Sequence, residues 1–214
     1  MPVQPVEIAE RAALLGNIRK TPIVLYGIFT EICRQFYSDA ANLPIDVVKV
    51  WSPDVKKTAI WIDTEYKWED ATPEFRPAIY VKLSDITYSS LTGRKDSWMG
   101  VNVEEGESKF SRNGAGQVSW IHIARSKGEA VVLAGATLDY IDALSKIIKD
   151  DFCFQSFELV SLSPLAVDKE SKERYRSVVT AAFAFQDTWT LKMESPKLKR
   201  IVYNAGQALL DHIL

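Results

Sequence analysis

The sequence holds little of what metal centres and covalent scaffolds are made from. Its two cysteines, Cys33 and Cys153, are too few for a disulfide framework or a four-cysteine zinc site. Its two histidines, His122 and His212, cannot build a histidine-rich metal centre. Charge of one sign is not in excess: 26 basic side chains face 28 acidic ones, a net charge of -2, which argues against a surface that coats nucleic acid. No apolar run approaches the roughly 18 residues a membrane-crossing helix needs. The opening Met-Pro-Val-Gln-Pro-Val-Glu-Ile-Ala-Glu lacks the basic-then-apolar order of a secretory signal. No lipidation motif or low-complexity tract is present. The expectation is a soluble chain made in a reducing cytoplasm.

What is present is globular. Hydrophobic residues are 47% and charged residues 25% of 214, enough for one generous domain or two small ones and incompatible with wholesale disorder. Thr21-Pro22 is a helix start, and Leu25, Ile28, Phe29, Ile32, Cys33 and Phe36 then recur at helical spacing. A shorter leading helix is expected over 5–16. The period then shortens to that of strands, over 46–51, 58–62 and 76–88. Gln117 to Arg125 reads as a central strand, and Ser126 with Glu129 as a capping box opening a helix that runs to about Lys149. Residues 157–162 and 174–192 read as strands, the second placing Val179, Ala181, Phe183, Phe185 and Trp189 on one face. Residues 197–214, with Leu198, Ile201, Val202, Ala205 and Leu209, read as a final helix. Strands come in runs, so the fold class is α+β: a mostly antiparallel sheet packed by a long central helix, with N-terminal and C-terminal helices. One domain over 1–214 is expected, with an N-terminal helical segment over 5–40 and a C-terminal helical tail over 197–214.

Residues 92–116 stand apart. They hold five of the ten glycines, and their four basic and four acidic side chains cancel. The segment reads as an extended Gly-rich loop or hairpin, with arms near 99–103 and 108–111. Its Arg94, Lys95, Trp98, Met99, Glu104, Glu105, Phe110 and Arg112 are the candidate interface residues. Trp98 is the anchor candidate, because tryptophan is enriched where interfaces concentrate their energy. Gly114-Ala-Gly116 lacks the third glycine, the lysine and the following helix of a phosphate-binding loop, so it reads as a flexible loop end.

Catalytic constellations are hard to assemble. There is no Gly-x-Ser-x-Gly elbow. His122 lies between Ile121 and Ile123, which marks a sheet residue, and both cysteines sit among apolar neighbours. Trp120 and Trp189 fall on strands and read as core. One pattern has chemical content: Pro53-Asp54 followed by Glu65-x-Lys67 matches the spacing of PD-(D/E)xK nucleases, where two carboxylates hold a divalent cation and the lysine orients water. Against it, Asp54 falls in a turn.

The stretch Val118-Ser-Trp-Ile-His-Ile-Ala-Arg-Ser-Lys-Gly-Glu-Ala130, then Leu133-Ala134 to Ile148, Phe157-Glu-Leu-Val-Ser-Leu-Ser-Pro164 and the strand 174–191, resembles the tail-terminator and neck proteins of long-tailed bacteriophages. Those proteins use a strand, a Ser-capped helix with Glu-Ala at its start, and a pair of strands. Arg76-Pro-Ala-Ile-Tyr-Val81 is similar to the family's Arg-Pro-x-aliphatic strand. The resemblance covers about residues 45–195 and consists of apolar patterning and capping, not catalytic signatures. It implies a structural subunit of the virion, assembled in the host cytoplasm. Six copies would form a ring that caps the tail tube, stops its growth and meets the head connector. Expected partners are further copies of the chain, the tube protein and the head-tail connector proteins. The resemblance implies no enzyme activity, cofactor or metal, no membrane, and no sequence-specific contact with the genome passing through the ring. It also implies that 92–116 reaches a neighbour, so that deleting 93–115 spares the fold and abolishes the ring. The alternatives are the nuclease, using Asp54, Glu65 and Lys67, and a non-enzymatic partner-binding domain with its site on 92–116.

Overall fold

The structure, a computed structural model, describes residues 20–43, 49–64, 76–90, 98–102, 107–167 and 174–192. Within them are two α-helices and eight strands: α1 (Pro22–Ser38), β1 (Trp61–Thr64), β2 (Ala78–Leu83), β3 (Thr87–Ser90), β4 (Trp98–Asn102), β5 (Glu107–Ala124), α2 (Lys127–Asp151), β6 (Phe154–Leu162), β7 (Ala166–Val167) and β8 (Tyr175–Lys192). The chain is therefore mixed α and β with a mostly antiparallel sheet. The expected helices over 5–16 and 197–214 lie outside the described residues. Two compact units divide it, 1–86 with 115–184 and 87–114 with 185–214.

In the first unit the sheet order is β1-β2-β5-β8-β6. β1 and β2 are parallel, with Trp61 beside Ala78, and β2 and β5 are antiparallel, with Tyr80 beside Ile121. Ser119 Oγ lies 3.1 Å from Thr180 Oγ1 and Gly116 lies against Phe183, pairs that run in opposite directions along β5 and β8 and make them antiparallel. Period-2 alternation then sends Val118, Trp120 and His122 of β5, and Val179, Ala181 and Phe183 of β8, to one buried face. Both helices cover that face. Phe29 of α1 is the centre of its packing, within 5.3 Å of the Phe183 ring centroid and 6.0 Å of Trp120, and stacked near Phe154 and Phe157. α1 meets α2 through Phe36, whose ring stacks on Tyr140 at 4.1 Å. Thr21 caps α1 as expected: its Oγ1 accepts from the Val24 N–H at 3.4 Å.

Several expected boundaries move, each for a local reason. Of the strand expected over 46–51, 46–48 lie outside the described residues and 49–51 form no strand, because Trp51 N–H donates to the Tyr37 carbonyl at 2.7 Å and Val50 C=O accepts from Ala59 at 2.9 Å. The strand placed at 58–62 begins only at Trp61, since the Thr58 hydroxyl is turned into its own loop and bonds the Ile60 carbonyl at 2.6 Å. The strand placed at 76–88 breaks after Leu83: the Ser84 hydroxyl takes the Gln117 N–H at 2.8 Å, replacing a ladder bond with a side-chain bond. Ser126 makes no side-chain cap, and Glu129 reaches instead to Lys49 Nζ at 3.5 Å.

The second unit contains β3, β4 and the adjoining halves of β5 and β8. β4 and β5 form the expected hairpin, with Trp98 beside Phe110 and Asn102 beside Glu107. The expected loop end at Gly114-Ala-Gly116 is wrong, because β5 runs unbroken from 107 to 124. The glycines are there for room. A Cβ on Gly114 would collide with the Phe185 ring, which lies across from it on β8. In the first unit Gly116 is placed likewise, 3.1 Å from Phe183 Cζ.

Candidate functional site

Charge and aromatic rings meet most closely in the second unit. Arg112 on β5 lies over the Tyr88 ring at 3.9 Å and the Trp189 ring at 5.2 Å. Its Nη2 is 3.4 Å from Asp187 Oδ2, and Asp187 is only 3% exposed. A carboxylate that deeply buried needs a cation beside it. Phe110 stacks on Trp189 at 5.5 Å. The interface candidates Phe110 and Arg112 thus serve the packing of their own unit. Met99 is 51% exposed and faces outward. Trp98 is on β4, and Arg94, Lys95, Glu104 and Glu105 lie outside the described residues. Deleting 93–115 would remove β4 and the first half of β5. The signal for Asp187 was legible: it falls in phase with Phe183, Phe185 and Trp189 on the inward face of β8.

Of the three nuclease candidates, Asp54 alone falls within the described residues. Asp54 is exposed and spent on its own turn, accepting from the Lys56 N–H at 3.0 Å and pairing with Lys57 at 3.9 Å. Glu65 and Lys67 lie outside the described residues. No group of three or more His, Cys, Asp or Glu placed to hold a metal ion occurs among the described residues. No described helix is long and apolar enough to cross a membrane.

His122 is completely buried and belongs to a polar network that joins three elements. Its Nε2 is 2.8 Å from Thr137 Oγ1 on α2, which is 3.0 Å from the Tyr37 hydroxyl on α1, which donates to the Leu133 carbonyl at 3.0 Å. The hydrogens run one way: Tyr37 to Leu133, Thr137 to Tyr37, and His122 Nε2–H to Thr137. Nε2 therefore carries a hydrogen, and complete burial keeps the ring in its neutral form. Burial lowers its pKa to about 4, against a smaller opposing pull of the Ser177 and Trp120 backbone. Burial likewise raises the Tyr37 hydroxyl, with Cys33 adding to it, and raises the Cys33 thiol, which makes that cysteine inert.

Two depressions flank α1 in the first unit. One, of about 640 Å³, lies between α1 and β1. Its wall is Pro22, Ile23 and Tyr26, and Glu31, Arg34 and Asp63 provide its charge. Arg34 is committed: its Nε and Nη2 donate to the Ile62 carbonyl at 3.3 and 3.1 Å, and Asp63 Oδ1 is 3.7 Å away. β1 ends the sheet order among the described strands, so the guanidinium blunts that edge. The other, of about 360 Å³, is a groove between α1 and α2. Its walls are Ile28 and Ile32 on one side and Tyr140, Leu144 and Ile147 on the other, with Phe152 at one end. Among the described residues, its charged lining is Glu31 and Asp151. Sequence reasoning saw the apolar stripe of each helix and missed that the two leave a gap.

Comparison of the chain with protein-family models finds no match, and comparison with curated proteins finds none.

Proposed function

We propose that the chain is a structural subunit of a bacteriophage tail or neck, which assembles into a ring at the end of the tail tube and joins it to the head connector. The observation that supports this reading is the succession β5, α2, β6, β8, the order of elements on which the sequence resemblance rests. The finer arrangement belongs to the same proposal: a long helix over the sheet, with further helices at both ends of the chain. The β4–β5 hairpin, with Met99 half-exposed on it, gives each copy one patch for a neighbour. A head-to-tail ring needs a second, different patch.

The test is the native mass of the purified chain across a wide concentration range, alone and with preassembled tail tubes. A species of six chains, or growth toward it on adding tubes, is the expected result. A strict monomer under both conditions that cleaves DNA when magnesium is added would overturn the reading in favour of the Asp54, Glu65 and Lys67 nuclease.

A further inference from the structure

The groove between α1 and α2 has the form of a helix seat. Ile28 and Ile32 line one wall at a spacing of one helical turn, and Tyr140, Leu144 and Ile147 line the other. Ile147 is left 52% exposed, and Gly27 at the groove's mouth meets nothing within 4 Å where its Cβ would stand. Two helices with an apolar trough between them are completed by a third amphipathic helix. Charge narrows the choice of occupant. Both charged residues of its described lining, Glu31 and Asp151, are acidic, and Glu31 stays 56% exposed beside Arg34 at 4.0 Å, so the occupant should be basic where it passes them.

The chain's own sequence contains one such segment. Residues 197–214 open with Lys197, Lys199 and Arg200 and place Leu198, Ile201, Val202, Ala205 and Leu209 at helical spacing. The segment over 5–16 also has apolar residues at that spacing, but with Glu7 and Glu10 against Arg11 it carries net negative charge, like the groove lining. We propose that the groove between α1 and α2 receives the basic segment 197–214 of a second copy of this chain. This rests on the proposed self-association and supplies the second patch that a ring requires. The carboxylates of Glu31 and Asp151 face the Lys197, Lys199 and Arg200 side chains, and the apolar stripe fills the trough. Each copy gives a tail and receives one, so the contact is heterologous and propagates around the ring.

The test uses full-length chains and two readouts, self-association by sedimentation and binding of a fluorescent peptide of residues 197–214. Three variants are compared with the parent: Gly27→Leu, Glu31→Gln with Asp151→Lys, and Lys197→Glu with Lys199→Glu and Arg200→Glu. Gly27→Leu fills the mouth of the groove without strain, and thermal melts check that all three remain folded. Each variant should weaken self-association at least tenfold, and combining the second and third in one chain should restore most of it. Peptide binding should fail on the Gly27→Leu chain. Self-association that none of the variants weakens would overturn this inference and leave the ring reading standing. Absence of self-association at every concentration would count against the ring, and the peptide would then decide. Binding lost on Gly27→Leu would uphold the seat. No binding would overturn it, and so would binding only to a chain lacking its own 197–214, which would show that each tail occupies its own groove.

Discussion

Two residues carry sharp consequences at the scale of single side chains. Cys153 follows α2 with φ of 52°, in the left-handed region where a Cβ is crowded by the neighbouring carbonyl. It is exposed, and its backbone N–H bonds the Asp150 carbonyl at 3.3 Å, as a helix-ending residue should. Cys153→Gly removes the strain and little packing, so it should stabilise the chain by about 1 kcal/mol in urea unfolding, while Cys153→Ala should not. His122 makes stability depend on pH. Its folded pKa, about 4, lies below the ordinary 6.5, so between those values the unfolded chain binds the proton and the folded chain does not. The His122 contribution is full above pH 6.5 and is lost as pH falls toward 4, a total of about 3 kcal/mol. His122→Gln keeps a donor near the Nε2 position and cannot titrate. Its melting temperature should therefore vary less across that window than the parent's, and equal slopes would contradict the neutral-imidazole assignment. The surroundings of His122 were legible in the sequence as a sheet residue among isoleucines. Its partners Thr137 and Tyr37 were not, because they come from helices 15 and 85 residues away.

At the scale of elements, periodic stripes were the readable part. The stripe from Leu25 to Phe36 became α1, and the alternation from Val179 to Phe185 became the inner face of β8. What misled was glycine. Gly114 and Gly116 suggest a loop to any local reading, and only the phenylalanines facing them from β8 show why small residues are needed in a continuous strand. The expected result is graded. Gly114→Ala should cost about 1–3 kcal/mol by overpacking, since Phe185 is fully buried and has little room to give. Gly116→Ala should cost less, since its contact with Phe183 is 3.1 Å. Chemical denaturation of both variants checks the order, and equal costs would mean that the rings do not dictate these glycines. The strand breaks were unreadable for a related reason: the Ser84 and Thr58 hydroxyls compete locally with the ladder, and sequence alone does not say which bond wins.

At the scale of the whole molecule, the proposed assembly can be probed without disturbing the fold. Met99 is half-exposed on the β4–β5 hairpin, so Met99→Asp should leave the melting temperature nearly unchanged. If the hairpin joins neighbours, the same change should weaken self-association at least tenfold by sedimentation. Unchanged association would remove the hairpin from the interface. The sequence pointed to this segment through its glycines and aromatics, yet two of its candidates, Phe110 and Arg112, pack internally because Trp189 and Asp187 meet them from β8. The place of β8 has another consequence. It is the last described strand to be synthesised, yet it sits between β5 and β6, which are made earlier. On the ribosome, β5 and β6 cannot complete their facing ladders until β8 emerges between them. Closure of the sheet is thus deferred until β8 has been made, when the arriving strand locks it like a keystone.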